Sequence, residues 1–149
     1  MRTQESQLGV AAEATPAAAS TAAGTTIKGG ALRTADALMV DALLVGGTGG
    51  VLDVYLQRKL AADTWVDWIH FPQVSAGATV RYSCAITGKG SSIVAVGGGS
   101  DAAPGVALAA NTAVDVIPGG DVRLVYVAGA GTSAAGEATV TITPYNEQR

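Results

Sequence analysis

One cysteine, one histidine, one phenylalanine and two tryptophans are all that this chain of 149 residues holds of the residue types that most often carry chemistry. A single cysteine, Cys84, excludes an intrachain disulfide framework and a cysteine-based zinc site. It lies in an alternating run beside apolar neighbours and is expected to pack as a small hydrophobe. A lone histidine, His70, with no second histidine or nearby cysteine, makes a poor metal site. Charge is scarce too, with Asp, Glu, Lys and Arg making up 14% and the net charge at −3. The few basic residues are scattered, so the electrostatic footprint that holds a phosphate backbone is missing, and no nucleic-acid partner is expected. No run approaches the roughly 20 apolar residues of a membrane helix, so no membrane partner is expected. The first residues lack the apolar stretch of a secretory signal, since Glu5 and Glu13 interrupt it; the chain is expected to be made and held in the cytoplasm.

Small residues fill the space that charge leaves. Gly accounts for 20 positions, and Ala, Val and Thr are abundant, which suits tightly turned strands. The length is that of one domain and suffices for a hydrophobic core without metal or disulfide. Residues 1–24 are rich in Ala, Thr and Ser with Pro16 among them, and carry too little apolar surface to pack stably alone. They are expected to be an N-terminal arm, either a flexible tail or a segment that orders against a neighbouring subunit. Residues 25–149 form the expected folded domain.

There the hydrophobic pattern has period two. In TVRYSCAIT, Val80, Tyr82, Cys84 and Ile86 point one way, and Arg81, Ser83 and Ala85 the other. Leu52, Val54 and Leu56 share a face, as do Val122, Leu124 and Tyr126, and Val140 and Ile142. Such alternation in β-branched residues predicts half-buried antiparallel strands. Glycine-rich breaks at 46–50, 88–92, 97–105, 117–121 and 129–137 separate them. Strands are expected near 25–31, 36–46, 51–60, 64–74, 78–87, 92–97, 112–117 and 122–129, with 137–144 closing the set. The fold class is all-β: an antiparallel β-sandwich of about eight strands, jelly-roll-like, with an extended N-terminal arm. ADALMVDALLV at 35–45 has helix-forming residues, but its flanking glycines and its length favour a strand.

Val51–Phe71 holds both tryptophans, the histidine and the phenylalanine. Strict alternation puts Trp65 with Ile69 and Phe71 on the core side, and Trp68 with Val66 and His70 on the other. Trp68, Tyr55, His70 and Val66 are therefore the expected interface residues, since exposed aromatics are enriched at subunit contacts; coverage of Trp68 by a loop or the arm is the other reading. Asp67 and His70 fall on opposite faces, so no acid–base pair is expected within this strand. GGTGG and GKGSS do not fit the phosphate-loop pattern and precede no expected helix, so they read as hairpin turns. The dispersed carboxylates and the missing nucleophile–base spacing give no catalytic residues, no metal and no cofactor. The expected answer is that the protein is no enzyme.

One ordered set of short patterns carries a resemblance: LDVYLQ, then a turn and TWVD, and later PGGDVR, a GT turn and an alternating last strand. Leu52, Asp53, Val54, Leu56, Gln57, Thr64, Trp65, Asp67, Pro118, Val122, Arg123, Gly131 and Thr132 are the matching positions. Over about residues 36–145 the chain resembles small β-sandwich structural proteins of tailed bacteriophages, the head decoration, cement and minor head proteins. Its first turn, AAD, is shorter than the Gly-rich loop of that type. The resemblance implies a homo-oligomeric virion component, assembled in the bacterial cytoplasm and partnered by major capsid or other virion proteins. It implies no catalytic residue. A carbohydrate- or receptor-binding sandwich, with Trp68 and Tyr55 stacking on sugar rings, is the alternative.

Overall fold

The computed structural model describes residues 2–4, 7–60, 64–89 and 108–147. The expected strand at 92–97 lies outside the described residues. Among them there is no helix, hence none long and apolar enough to cross a membrane. The strands are β1 (Arg2–Gln4), β2 (Leu8–Ala14), β3 (Ser20–Ile27), β4 (Ala37–Val45), β5 (Leu52–Lys59), β6 (Trp65–His70), β7 (Thr79–Ile86), β8 (Thr112–Ala113), β9 (Val122–Ala128) and β10 (Glu137–Glu147).

They form two antiparallel sheets. In one, β10 lies between β4 and the pair β1 and β2, and β7 flanks β4; in the other the order is β3-β9-β5-β6-β8. Among the described strands the chain crosses between the sheets at six of nine steps, with β5 and β6 the one long hairpin within a sheet. With β1 and the short β8 set aside, the sheets read β2-β10-β4-β7 and β3-β9-β5-β6, the jelly-roll order of two interleaved Greek keys. The expected β-sandwich is what folds.

Period-two alternation does the sorting. Along β4, Leu38, Val40, Ala42 and Leu44 are buried, while Met39, Leu43 and Val45 are half-buried and Asp41 is exposed. This is a strand with one face on the core, as its flanking glycines predict. Facing it across the sandwich are Leu52, Val54, Leu56, Leu124 and Tyr126, all in one cluster with Val140, Ile142, Trp68 and Phe71. Each such side chain taken wholly from water contributes roughly 1.5–3 kcal/mol.

The glycine-rich turns at 46–50 and 129–137 close one end of the sandwich against each other. Thr48 N–H donates to the Ala134 carbonyl at 3.1 Å, and Ser133 N–H to the Thr48 carbonyl at 2.8 Å. A Cβ at Gly47 would sit 2.1 Å from the Ala134 oxygen. Gly49, at φ +90°, would place one 2.2 Å from the Gly131 oxygen. Backbone meeting backbone is the reason for glycine there.

The N-terminal residues depart from expectation. β2 pairs with β10 (Ala14 opposite Glu137, Leu8 opposite Ile142), and β3 pairs with β9 (Ser20 opposite Ala128, Ile27 opposite Val122). The segment expected as an arm over 1–24 thus supplies a strand to each sheet, and the boundary expected at residue 25 falls inside β3. The reason is that edge strands are held by main-chain hydrogen bonds, which small residues supply as well as large ones. The strand expected at 112–117 is likewise trimmed to Thr112–Ala113.

Glu13 ties the two N-terminal strands across the sandwich edge. Its carboxylate accepts hydrogen bonds from the Thr25 N–H at 3.0 and 3.1 Å, from the Thr25 hydroxyl, and from the Tyr126 hydroxyl at 2.7 Å. Gly24 makes room, since a Cβ there would meet Glu13 Oε1 at 2.2 Å. Burial by itself would raise the Glu13 pKa; the hydrogen bonds from Thr25 and Tyr126 outweigh it and hold the carboxyl below its ordinary value of 4.5. A folded-state pKa that is lowered gives stability that is complete above the unfolded value and is lost as pH falls through the folded one. Denaturant midpoints are therefore expected to drop as pH is lowered from about 5 to about 3, and Glu13→Gln to reduce both the midpoint at neutral pH and the steepness of that drop. Identical pH profiles for the two proteins would count against this tie.

Candidate functional site

The outer surface of the second sheet gathers the polar and aromatic residues of the β5–β6 hairpin. Along β5, Leu52, Val54 and Leu56 go inward, and Asp53, Tyr55 and Gln57 go outward. On β6, His70 stands opposite Tyr55, Ile69 opposite Leu56, Asp67 opposite Gln57 and Trp65 opposite Lys59. Between Ile69 and Asp67 the β6 chain spends one residue more than β5 does. Trp68 is that extra residue, a β-bulge.

The bulge reverses the expected assignment of the tryptophans. It turns Trp68 and Ile69 both into the core cluster, and Trp68 is 0% exposed. Its indole N–H donates to the Val116 carbonyl at 3.0 Å, and its own carbonyl accepts from Val114 N–H at 2.8 Å. Trp65 is the half-exposed one, with the Arg123 guanidinium 4.6 Å from its ring centroid and the Lys59 ammonium 5.8 Å. Of the four residues expected at an interface, Trp68, Val66 and His70 are buried within the chain, and Tyr55 is half-buried. Trp68 therefore has no face to give to a subunit or a sugar.

The same bulge places Asp67 and His70 on one face, where alternation put them on two. Asp67 and Gln57 are both 0% exposed. Asp67 Oδ1 accepts from the Gln57 amide at 3.0 Å, and Oδ2 from the Leu108 N–H at 3.0 Å. Gln57 Oε1 in turn accepts from Arg123 Nε at 3.0 Å and Nη2 at 2.9 Å. His70 Nδ1 donates to the Leu108 carbonyl at 2.8 Å, so both main-chain groups of Leu108 are clipped to β6. His70 Nε2 lies 3.3 Å from Asp53 Oδ1, and the Gln73 amide donates to Asp53 Oδ2 at 3.2 Å. Tyr55 stacks on the imidazole at 3.8 Å between ring centroids. Burial, then the charges of Asp53 and Asp67, push the Tyr55 phenol upward.

Leaving a buried carboxylate without donors costs several kcal/mol. Here each oxygen of Asp67 has a donor from within the chain. The cluster satisfies itself and acts as a clamp on three strands and on the chain at Leu108. Gln57, Asp67, Trp65, Arg123 and Asp53 are positions of the ordered short patterns in the sequence, and the structure brings them together.

A cleft of about 130 Å³ beside the clamp is lined by both His70 and Cys84, which sequence spacing did not connect. Cys84 is half-buried, and burial, then the Asp115 charge, raise its thiol pKa, which works against the reactive thiolate. Among the described residues no group of three His, Cys, Asp or Glu side chains could hold a metal ion. Comparison of the chain with protein-family models, with curated proteins and with solved structures finds no match.

Proposed function

We propose that this chain is a structural protein of a tailed-phage virion, a capsid decoration or cement protein or a minor head protein, that stabilises the particle through contacts with the major capsid protein and with copies of itself. The observation that carries this reading is the convergence of seven of the thirteen phage-type positions on one clamp and the core beneath it. Leu52, Val54 and Leu56 fill the core beneath it, and Gln57, Asp67, Trp65 and Arg123 lock β5, β6 and β9 above it. A pattern whose members form one construction unit marks how the sandwich is built, which is the part of the chain that the resemblance concerns.

The outer face of the β10 sheet supports it as well. Asp41, Arg81, Ser83, Thr139 and Thr141, with the apolar Leu43 and Tyr82 among them, line a shallow depression of about 340 Å³. Such a surface can lie flat against a capsid shell, where burial of apolar area at roughly 25 cal/mol per Å² supplies affinity before association costs. The test is addition of the purified chain to particles assembled without it, followed by heating. Saturable binding and a higher temperature of DNA release are expected; particles that neither bind the chain nor change their release temperature would overturn the reading.

A further inference from the structure

The sandwich has four lateral edges, and three are blunted in ways that prevent strand addition. β8 covers β6 with only Thr112–Ala113. β3 shifts register between Ala23 and Thr26. The β10 flank is shared by two separate short strands, with a further register shift and a positive φ at Ala12. β7 is the exception. It runs Thr79–Ile86 in unbroken register with β4, with no Gly, Pro or Lys in it, and among the described residues nothing pairs with its other side.

The ladder phase shows what that free side offers. Gly46 N–H donates to the Ala78 carbonyl, and Gly46 stands opposite Ala78 by continuation of the Val45–Thr79 register. Hydrogen-bonded pairs alternate along an antiparallel ladder, so Ala78, Val80, Tyr82 and Cys84 bond to β4. Thr79, Arg81, Ser83 and Ala85 then direct their N–H and C=O groups outward. The inward side chains Val80, Tyr82 and Cys84 are only half-buried, so the core is incomplete along this edge.

We propose that β7 is a dimerisation edge, pairing antiparallel with β7 of a second copy about a two-fold axis through Tyr82. In that register Arg81 forms a hydrogen-bonded pair with Ser83 of the second copy, Thr79 pairs with its Ala85, and the two Tyr82 side chains face each other. Charge selects this occupant. Asp41 on β4 is the cross-strand neighbour of Ser83 and accepts its hydroxyl hydrogen bond. In the dimer Arg81 of the second copy arrives on the far side of that small serine, two strand spacings or about 10 Å from Asp41. A long guanidinium spans that gap, and symmetry makes the ion pair twice. Among the described residues Arg81 has no ion pair within its own chain. The inference concerns the isolated chain and does not depend on the particle role proposed above.

Sedimentation of the full-length chain over a range of concentrations tests it. A monomer–dimer equilibrium is expected. Arg81→Asp and Asp41→Arg are each expected to weaken it by about tenfold, and the two together to restore it. Tyr82→Cys in a Cys84→Ser background is expected to give a disulfide-linked dimer on oxidation, because a non-hydrogen-bonded pair brings the two Cα atoms within disulfide range. A chain that stays monomeric at every concentration, or a dimer indifferent to both charge changes, would overturn the proposal. A chain that stays monomeric alone and takes a strand of a different protein on this edge would overturn it equally.

Discussion

Removal of residues 1–24 is expected to abolish folding. The deletion takes all of β1 and β2 from one sheet and Ser20–Gly24 of β3 from the other. It strips the flank of β10 along Glu137–Ile142 and the flank of β9 along Val125–Ala128, leaving two central strands with unpaired main-chain groups. It also removes Glu13, the acceptor of the buried Tyr126 hydroxyl, and Thr15, which exchanges hydrogen bonds with Gly136 at 2.8 and 3.1 Å. Each orphaned buried donor or acceptor costs about 1–3 kcal/mol, and a domain has only about 5–15 kcal/mol in total. The expected product is insoluble or lacks a cooperative thermal transition. A soluble truncated chain that melts cooperatively near the full-length midpoint would show these residues to be a dispensable arm.

Trp68→Ala is the second large effect. Trp68 is fully buried in the cluster that joins the sheets, and its indole N–H occupies the Val116 carbonyl. Truncation leaves a cavity and an unmet acceptor, at a cost of about 3–5 kcal/mol. Trp65→Ala removes a half-exposed ring stacked under Arg123 and is expected to cost about 1 kcal/mol. Equilibrium denaturation of both variants checks the ranking; a larger loss for Trp65→Ala would mean that Trp65, not Trp68, fills the core.

The tryptophans mark where reading the sequence by alternation reaches its limit. The strands around Leu52, Thr79, Val122 and Glu137 are legible because each carries a large apolar side chain at every second position. LGVAAEA and STAAGTTI carry no such contrast, since the residues on both faces are small, and their pairing is a main-chain matter that side-chain periodicity does not register. One inserted residue in β6 then inverts the side of everything beyond it, and nothing in a period-two pattern announces a bulge. The clamp was half legible. Gln57, Asp67, Trp65 and Arg123 stand out as members of short patterns, but Gln57 and Arg123 are 66 positions apart and meet only through the β5–β9 register. The anchoring of Leu108 by Asp67 and His70 has no sequence signal at all.

The two proposals meet on one sheet. Self-pairing uses the β7 edge and docking on a shell the broad outer face beside it, and Asp41, Arg81 and Ser83 belong to both, so a β7 dimer presents two such faces side by side.

The measurement that bears most directly on the central claim is density-gradient fractionation of a lysate from cells producing the proposed phage, with this chain followed across the gradient. The account predicts that the chain bands with intact particles at a fixed, high copy number. A chain that remains wholly in the soluble fraction while particles band without it would contradict the virion role.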